Sequence, residues 1–138
     1  MVSHAPSNIP ITLGHAAMDT THDELLQLLA TGGQCRDLAT LAPLLDALIA
    51  HTERHFQTEE LWMVQSEFPL LNEHRSEHRQ LLAELAMMRR RLRPATLLLV
   101  RSFITERLPD WLNQHLQRMD SLLAAHLTPL TGAAEKSE

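Results

Sequence analysis

Residues 44–64 read LLDALIAHTERHFQTEELWMV, and the spacing within this stretch decides the fold. Leu44, Leu45, Leu48 and Ile49 recur three and four apart, the period of one face of a helix rather than the alternation of a strand. His55 and Glu59 follow four apart, so both side chains leave one face a turn from each other. A helix is expected over about 41–64, with Pro43 in its first turn, where a missing N–H deletes no bond.

The same period extends outward in both directions. Met18, Leu25, Leu26, Leu28 and Leu29 mark an earlier helix, with Asp19 as the expected N-cap and Gly32-Gly33 as the stop. Ser66-Glu67-Phe68-Pro69 breaks the pattern, and a third helix is expected over about 71–92. Pro94 opens a fourth, predicted to run to about 127 and to end at Thr128-Pro129, with Pro109 kinking or splitting it near Leu108. Its stripe includes Leu97, Leu98, Phe103, Ile104, Leu108, Leu112, Leu116, Met119 and Leu123. Four helices on short loops, with no strand signal, predict an all-α, antiparallel up-and-down four-helix bundle. The expected division is an N-terminal arm over 1–17, the bundle over 18–128 and a flexible tail over 129–138.

Composition narrows the classes of function. A chain of 138 residues holds one domain with a core. Unbroken apolar runs reach four residues, as at 97–100, far short of the roughly 18 that a spanning helix needs. Residues 1–10 show no basic segment leading into an apolar one, so a cytoplasmic location is expected. A net charge of -5 argues against binding a phosphate backbone. Arg89, Arg90, Arg91 and Arg93 read as a solvated helix end favoured by the macrodipole. The single cysteine, Cys35, excludes an internal disulfide and multi-cysteine metal sites and is expected as a free thiol in a loop. Nine histidines against no tyrosine require an explanation.

The histidines fall at ligand spacing. His74 and His78 repeat the four-residue step of His55 and Glu59, which lets two side chains converge on one metal. The first helix adds His22, and the fourth adds His115 and Asp120. A lone helical histidine is usually a surface or hydrogen-bonded core residue. Here each candidate sits in or beside an apolar stripe, and five imidazoles with two carboxylates in one core would be costly without a shared metal. His115 and Asp120 are five apart, about 140° on a regular helix, so a π-type bulge is expected between them. His51 reads as a residue beside the site or on the surface, His15 as a solvated residue before the first helix, and Glu60 as facing solvent or an imidazole rather than a metal. His4 and His126 carry no role on this reading.

The blocks 18–22 (Met-Asp-Thr-Thr-His) and 55–60 (His-Phe-Gln-Thr-Glu-Glu) with Met63 and Phe68-Pro69, the pair His74 and His78, and Trp111-Leu112 through His115 to Asp120 resemble the motifs of the hemerythrin family, in order, over about 11–127. The resemblance implies two iron ions. One would be held by His74, His78 and His115, the other by His22 and His55, with Glu59, Asp120 and an oxo or hydroxo group bridging them. The first iron would then be closed at six ligands and the second left with one open position, where O2 would draw one electron from each iron and leave again as O2. By the same resemblance Leu25, Phe56, Trp111, Leu112 and Leu116 would keep that position dry. The long separation of His78 from His115 suggests that the third and fourth helices extend past the metals as a hairpin. Reversible O2 binding by a monomer or weak oligomer is the expected function. A di-iron peroxidase, oxidase or nitric-oxide-processing enzyme is the alternative, and an oxygen or redox sensor acting through a partner protein is the third.

Overall fold

A computed structural model describes residues 15–136, with side chains described over 15–128. Helix α1 spans Ala16–Gln34, α2 Leu38–Gln65 and α3 Leu71–Arg91. A 3-10 turn at Pro94–Thr96 leads into α4, a continuous helical course of five parts. Its parts are Leu97–Ser102, a π-type turn Phe103–Arg107, Leu108–His115, a second π-type turn Leu116–Asp120, and Ser121–Lys136. The helices pack antiparallel as a four-helix bundle. Along each neighbouring pair the residue numbers rise on one helix as they fall on the other. Arg89 pairs with Asp46 (2.7 Å) and Arg75 with Glu60 (3.3 Å) between α3 and α2, while Arg107 pairs with Glu84 (2.6 Å) and Arg118 with Glu77 (2.9 Å) between α4 and α3.

Several ends differ from expectation, each for a local reason. The N-cap of α1 is His15, whose Nδ1 accepts from the Met18 N–H at 3.3 Å, so Asp19 lies inside the first turn. His15 also packs its ring against Trp62, with centroids 5.0 Å apart, rather than standing free in solvent. The arm expected over 1–17 therefore becomes helical at Ala16, and its residues 1–14 lie outside the described residues. Asp37 caps α2 by accepting from the Thr40 N–H at 2.9 Å, which starts that helix early enough to put Pro43 beyond the first turn. Gly32 does not stop α1, which runs on to Gln34. A Cβ there would meet Ile104 Cγ2 at 2.8 Å and Leu44 Cδ1 at 3.1 Å, so this glycine lets three helices close on one another. Cys35 follows as the C-cap of α1, in the loop but buried, its Sγ near the carbonyls of Thr31 and Thr40.

The break at 66–70 is a helix stop built from backbone bonds. Glu67 takes the left-handed conformation (φ 55°), the Phe68 N–H donates to the Met63 carbonyl at 2.9 Å, and the Phe68 and Met63 side chains pack in one cluster. At Pro109 the fourth helix neither breaks nor ends. The Leu108 N–H reaches back to Phe103, so the turn before the proline is widened and absorbs the lost hydrogen bond. The helical backbone also continues through Thr128-Pro129 to Lys136, where the sequence predicts a stop and a flexible tail. One proline removes one intrahelical bond, and the alanines at 133 and 134 favour helix again.

The core has two apolar layers. The larger contains Leu25, Leu29, Leu41, Leu45, Leu48, Phe56, Leu85, Ile104, Leu112 and Leu116, and lies toward the ends where α1 meets α2 and α3 meets α4. The smaller contains Met18, Met63, Phe68, Leu123, Ala124 and Leu127. Burying a leucine fully is worth about 1.5–3 kcal/mol, so these layers hold the bundle together without help from the surface ion pairs. The hairpin of α3 and α4 does extend past His78 and His115, as expected. It is covered by α1 and α2, and Arg101 donates to the Gly33 carbonyl at 2.8 Å to tie the two ends. Between the two layers, on every helix, comes a layer of buried polar residues.

Candidate metal centre

The titratable residues buried between the apolar layers are His22 from α1, His55 and Glu59 from α2, His74 and His78 from α3, and His115 and Asp120 from α4. All seven residues that the resemblance assigns as ligands are brought together. They form two groups, in each of which the ligand atoms lie within 4.8 Å of one another: Glu59, His74, His78, His115 and Asp120, and His22, His55, Glu59 and Asp120. Four-residue spacing aligns His55 with Glu59 and His74 with His78. The π-type turn Leu116–Asp120 does the same for the five-residue step from His115 to Asp120, through the Ser121 N–H bonding Leu116.

Both carboxylates divide their oxygens between the groups. Glu59 Oε1 faces Nε2 of His74 and His78, each at 3.2 Å, while Oε2 faces Nε2 of His55 at 2.8 Å and of His22 at 3.9 Å. Asp120 Oδ1 faces Nε2 of His74 at 2.9 Å and of His115 at 3.0 Å, while Oδ2 faces Nε2 of His22 at 3.1 Å. Among the described residues, Nε2 of His22, His74, His78 and His115 and all four carboxylate oxygens are buried without a hydrogen-bond partner. Buried polar atoms left so are costly, whereas lone pairs converging from imidazole and carboxylate are what a transition-metal ion requires. The donor set therefore fits a pair of metal ions, since two carboxylates that each face both groups would suit a pair better than one ion.

Two of the imidazoles are held from behind. His78 donates from Nδ1 to Glu60 Oε2 at 3.0 Å, and His115 donates from Nδ1 to Glu77 Oε1 at 2.9 Å. An ionised carboxylate only accepts, so Nδ1 carries a proton in both rings and Nε2 is the nitrogen that can offer a lone pair to a metal once it is deprotonated. Glu60 was expected against solvent or an imidazole and meets the imidazole. Glu77 went unremarked in the sequence. Its signal is faint: it precedes His78, and only the antiparallel register sets it opposite His115.

The five apolar residues assigned to a dry pocket also come together. Leu25, Phe56, Leu112 and Leu116 are buried in the larger layer, and Trp111 packs against it, partly exposed. The two aromatic rings lie closest to the three-histidine group. Phe56 stacks on His78 (centroids 3.7 Å apart, planes 4° apart) and Trp111 on His115 (4.6 Å, 14°), with Phe56 5.6 Å from His55. Trp111 also lines a surface cavity of about 680 Å³ with Met88, Leu99 and Phe103. His51 stands apart from both groups, its Nε2 3.4 Å from Glu24 Oε1, and His126 meets the Ser66 carbonyl at 2.9 Å. His4 lies outside the described residues.

Within the cluster, imidazoles and carboxylates shift one another's affinity for protons. Burial would raise Glu59, but the imidazoles of His55, His74 and His78 outweigh it and hold this carboxyl well below its ordinary value. Asp120 is lowered as well: burial and the Glu59 charge oppose this, and His115 and His22 prevail. Burial works against protonation of His115, yet the carboxylates of Asp120, Glu77 and Glu59 push it up to about 9. His55 and His74 are raised for the same reason. Stability drawn from the raised His115 is full below its unfolded value near 6.5 and is lost as pH climbs through about 9. That drawn from the lowered carboxylates is full above their ordinary range and is lost as pH falls below it.

A metal must displace the His115 Nε2 proton. Loading metal-free protein with ferrous or zinc ion at pH 7.5 in weak buffer is therefore expected to release protons, about one or more per chain, and to tighten as pH rises toward 9. A pH indicator read during the titration checks this. Loading without proton release would show that the imidazoles are already neutral.

Comparison with known proteins agrees with this geometry. A family model described as the hemerythrin HHE cation binding domain matches residues 13–127. A bacteriohemerythrin from Ralstonia nicotianae (strain ATCC BAA-1114 / GMI1000) is 40% identical over 115 residues, covering 83% of this chain and 82% of that protein. A bacteriohemerythrin from Aquifex aeolicus (strain VF5) is 30% identical over 122 residues, covering 83% of this chain and 91% of that protein. No solved structure matches significantly.

Proposed function

The chain belongs to the hemerythrin family, and on that premise we propose that its buried cluster holds two iron ions and binds O2 reversibly. The observation that carries this reading is the division of Glu59 and Asp120, each turning one oxygen to the three-histidine group and the other to the two-histidine group. His74, His78 and His115 would hold one ion, His22 and His55 the other, and the two carboxylates both. Two ferrous ions held there supply the two electrons that O2 draws on binding and returns on leaving.

The chain's own side chains do the rest. With the shared carboxylates, one group offers five ligating residues and the other four, so the protein leaves the two-histidine side less filled and able to take a small ligand. Leu25, Leu112 and Leu116, with Phe56 and Trp111, present hydrocarbon and aromatic surface rather than acids, which keeps water and external proton donors from the site. Five imidazoles against two carboxylates give a neutral-rich donor set, less suited than a carboxylate-rich one to strongly oxidised iron, and this favours binding over oxidation. The functional unit would be the bundle over 18–128, working in the cytoplasm as a monomer or weak oligomer. Among the described residues no helix is long and apolar enough to cross a membrane.

Metal analysis tests the reading. Protein made with adequate iron is expected to carry two irons per chain, and His74→Ala, which removes an imidazole facing both carboxylates, should lower that content. One zinc per chain with no iron, in protein from iron-replete cells, would contradict the assignment.

A further inference from the structure

The cluster is symmetric in its carboxylates and asymmetric in what stands behind its histidines. His78 and His115 are each fixed on three sides. Nε2 points to the centre, Nδ1 is bound by Glu60 or Glu77, and one face lies on Phe56 or Trp111. The two outer carboxylates are themselves clamped. Glu60 gives its other oxygen to Arg75 Nε at 3.3 Å, and Glu77 gives its other oxygen to Arg118 Nη2 at 2.9 Å. Each brace also crosses between helices: Glu60 on α2 holds a ligand of α3, and Glu77 on α3 holds a ligand of α4.

The opposite side has no such support. Among the described residues no outer carboxylate stands behind His22 or His55, whose carboxylate contacts all run through Nε2, and the Nδ1 of His22 is buried without a partner. On the three-histidine side the Nδ1 of His74 is buried without one too, so the braces fall on two of that side's three imidazoles. Their rings meet only edge to face, centroids 5.1 Å apart, and His55 lies tilted against Phe56. A ligand whose ring plane and tautomer are set beforehand loses less on binding, and carboxylate behind an imidazole raises its basicity.

We propose that Glu60 and Glu77, clamped by Arg75 and Arg118, make the two metal positions unequal: the three-histidine position is filled first and held tightly, and the two-histidine position exchanges its ion. This rests on the two-ion reading above. Glu60 and Glu77 are positioning residues, acting only through His78 and His115. Their partner oxygens are already committed, so neither is free to ligate.

The order of release tests this on the loaded protein. Wild-type chain carrying two ferrous ions, kept under argon, is mixed with excess of a chromophoric ferrous chelator and colour is followed in time. Two phases of one equivalent each are expected, separated by tenfold or more. Glu60→Ala and Glu77→Ala should each speed the slow phase about 10- to 100-fold while moving the fast phase less than about threefold. Glu77→Gln, whose amide oxygen still accepts from Nδ1, should restore part of the slow phase. His22→Ala should remove the fast equivalent and leave the slow one. Release of both ions in one phase from the wild type, or alanine variants that speed the fast phase as much as the slow, would overturn the proposal and leave the two-ion reading standing. Saturation at one ion per chain would instead defeat the two-ion reading.

Discussion

Glu59→Gln is expected to take the protein from two bound metal ions per chain to one or none. The carboxylate is fully buried, and its oxygens lie 2.8 to 3.9 Å from Nε2 of four histidines on three helices. The amide is nearly isosteric but offers one acceptor oxygen and no charge, so it cannot serve both groups. Without a metal it also takes from His55 the counter-charge nearest to it, leaving only the more distant Asp120, and removing one partner of a buried pair costs about 3–5 kcal/mol. A further loss follows from linkage. An ion present at a hundred times its Kd stabilises the fold by about 2.7 kcal/mol, and the variant forgoes that. Metal analysis after anaerobic loading and gel filtration, run beside a thermal melt, reads both effects. Glu60→Gln is the matched control, since it keeps an acceptor for His78 and should keep both ions. Retention of two ions by Glu59→Gln would show that the carboxylate does not bridge.

Leu116→Ser is expected to shorten the life of the O2-loaded protein by an order of magnitude or more while both ions stay bound. Leu116 is buried beside His115 and belongs to the layer that covers the centre. Serine opens space and adds a hydroxyl, so solvent and proton donors reach the site and O2 departs reduced rather than intact. Truncating a buried leucine costs about 2–5 kcal/mol, so Leu116→Val, apolar and only slightly smaller, separates wetness from loosened packing. Stopped-flow mixing of the diferrous protein with O2, followed by the decay of its optical spectrum, measures all three. Equal decay in serine variant and wild type would remove the dry-pocket account without touching the metal assignment.

Much of this architecture was legible before any coordinates, because helical period and ligand spacing are local signals. Leucines three and four apart mark the buried faces, and those faces carry the histidines inward with them. Even the π-type turn at Leu116–Asp120 follows from arithmetic, since two ligands five apart must be brought to one side. What escaped was set by neighbours in space. His15 caps α1 because its ring nitrogen happens to meet the Met18 N–H, a role in which histidine is uncommon. Pro109 widens a turn instead of breaking the helix because α4 is held on both sides of it by buried Ile104 and Leu112. The Glu77 brace on His115 depends on how α3 and α4 rotate against each other, which no spacing within either helix states.

The central claim is that this chain takes up O2 and gives it back. Diferrous protein titrated with O2 in a closed cell is expected to bind about one O2 for each pair of irons, with an optical spectrum that appears on uptake, fades when O2 is withdrawn and returns on the next cycle. Continued consumption of O2 or of added peroxide beyond that stoichiometry, or a single uptake that no withdrawal reverses, would contradict it and mark the centre as a catalyst.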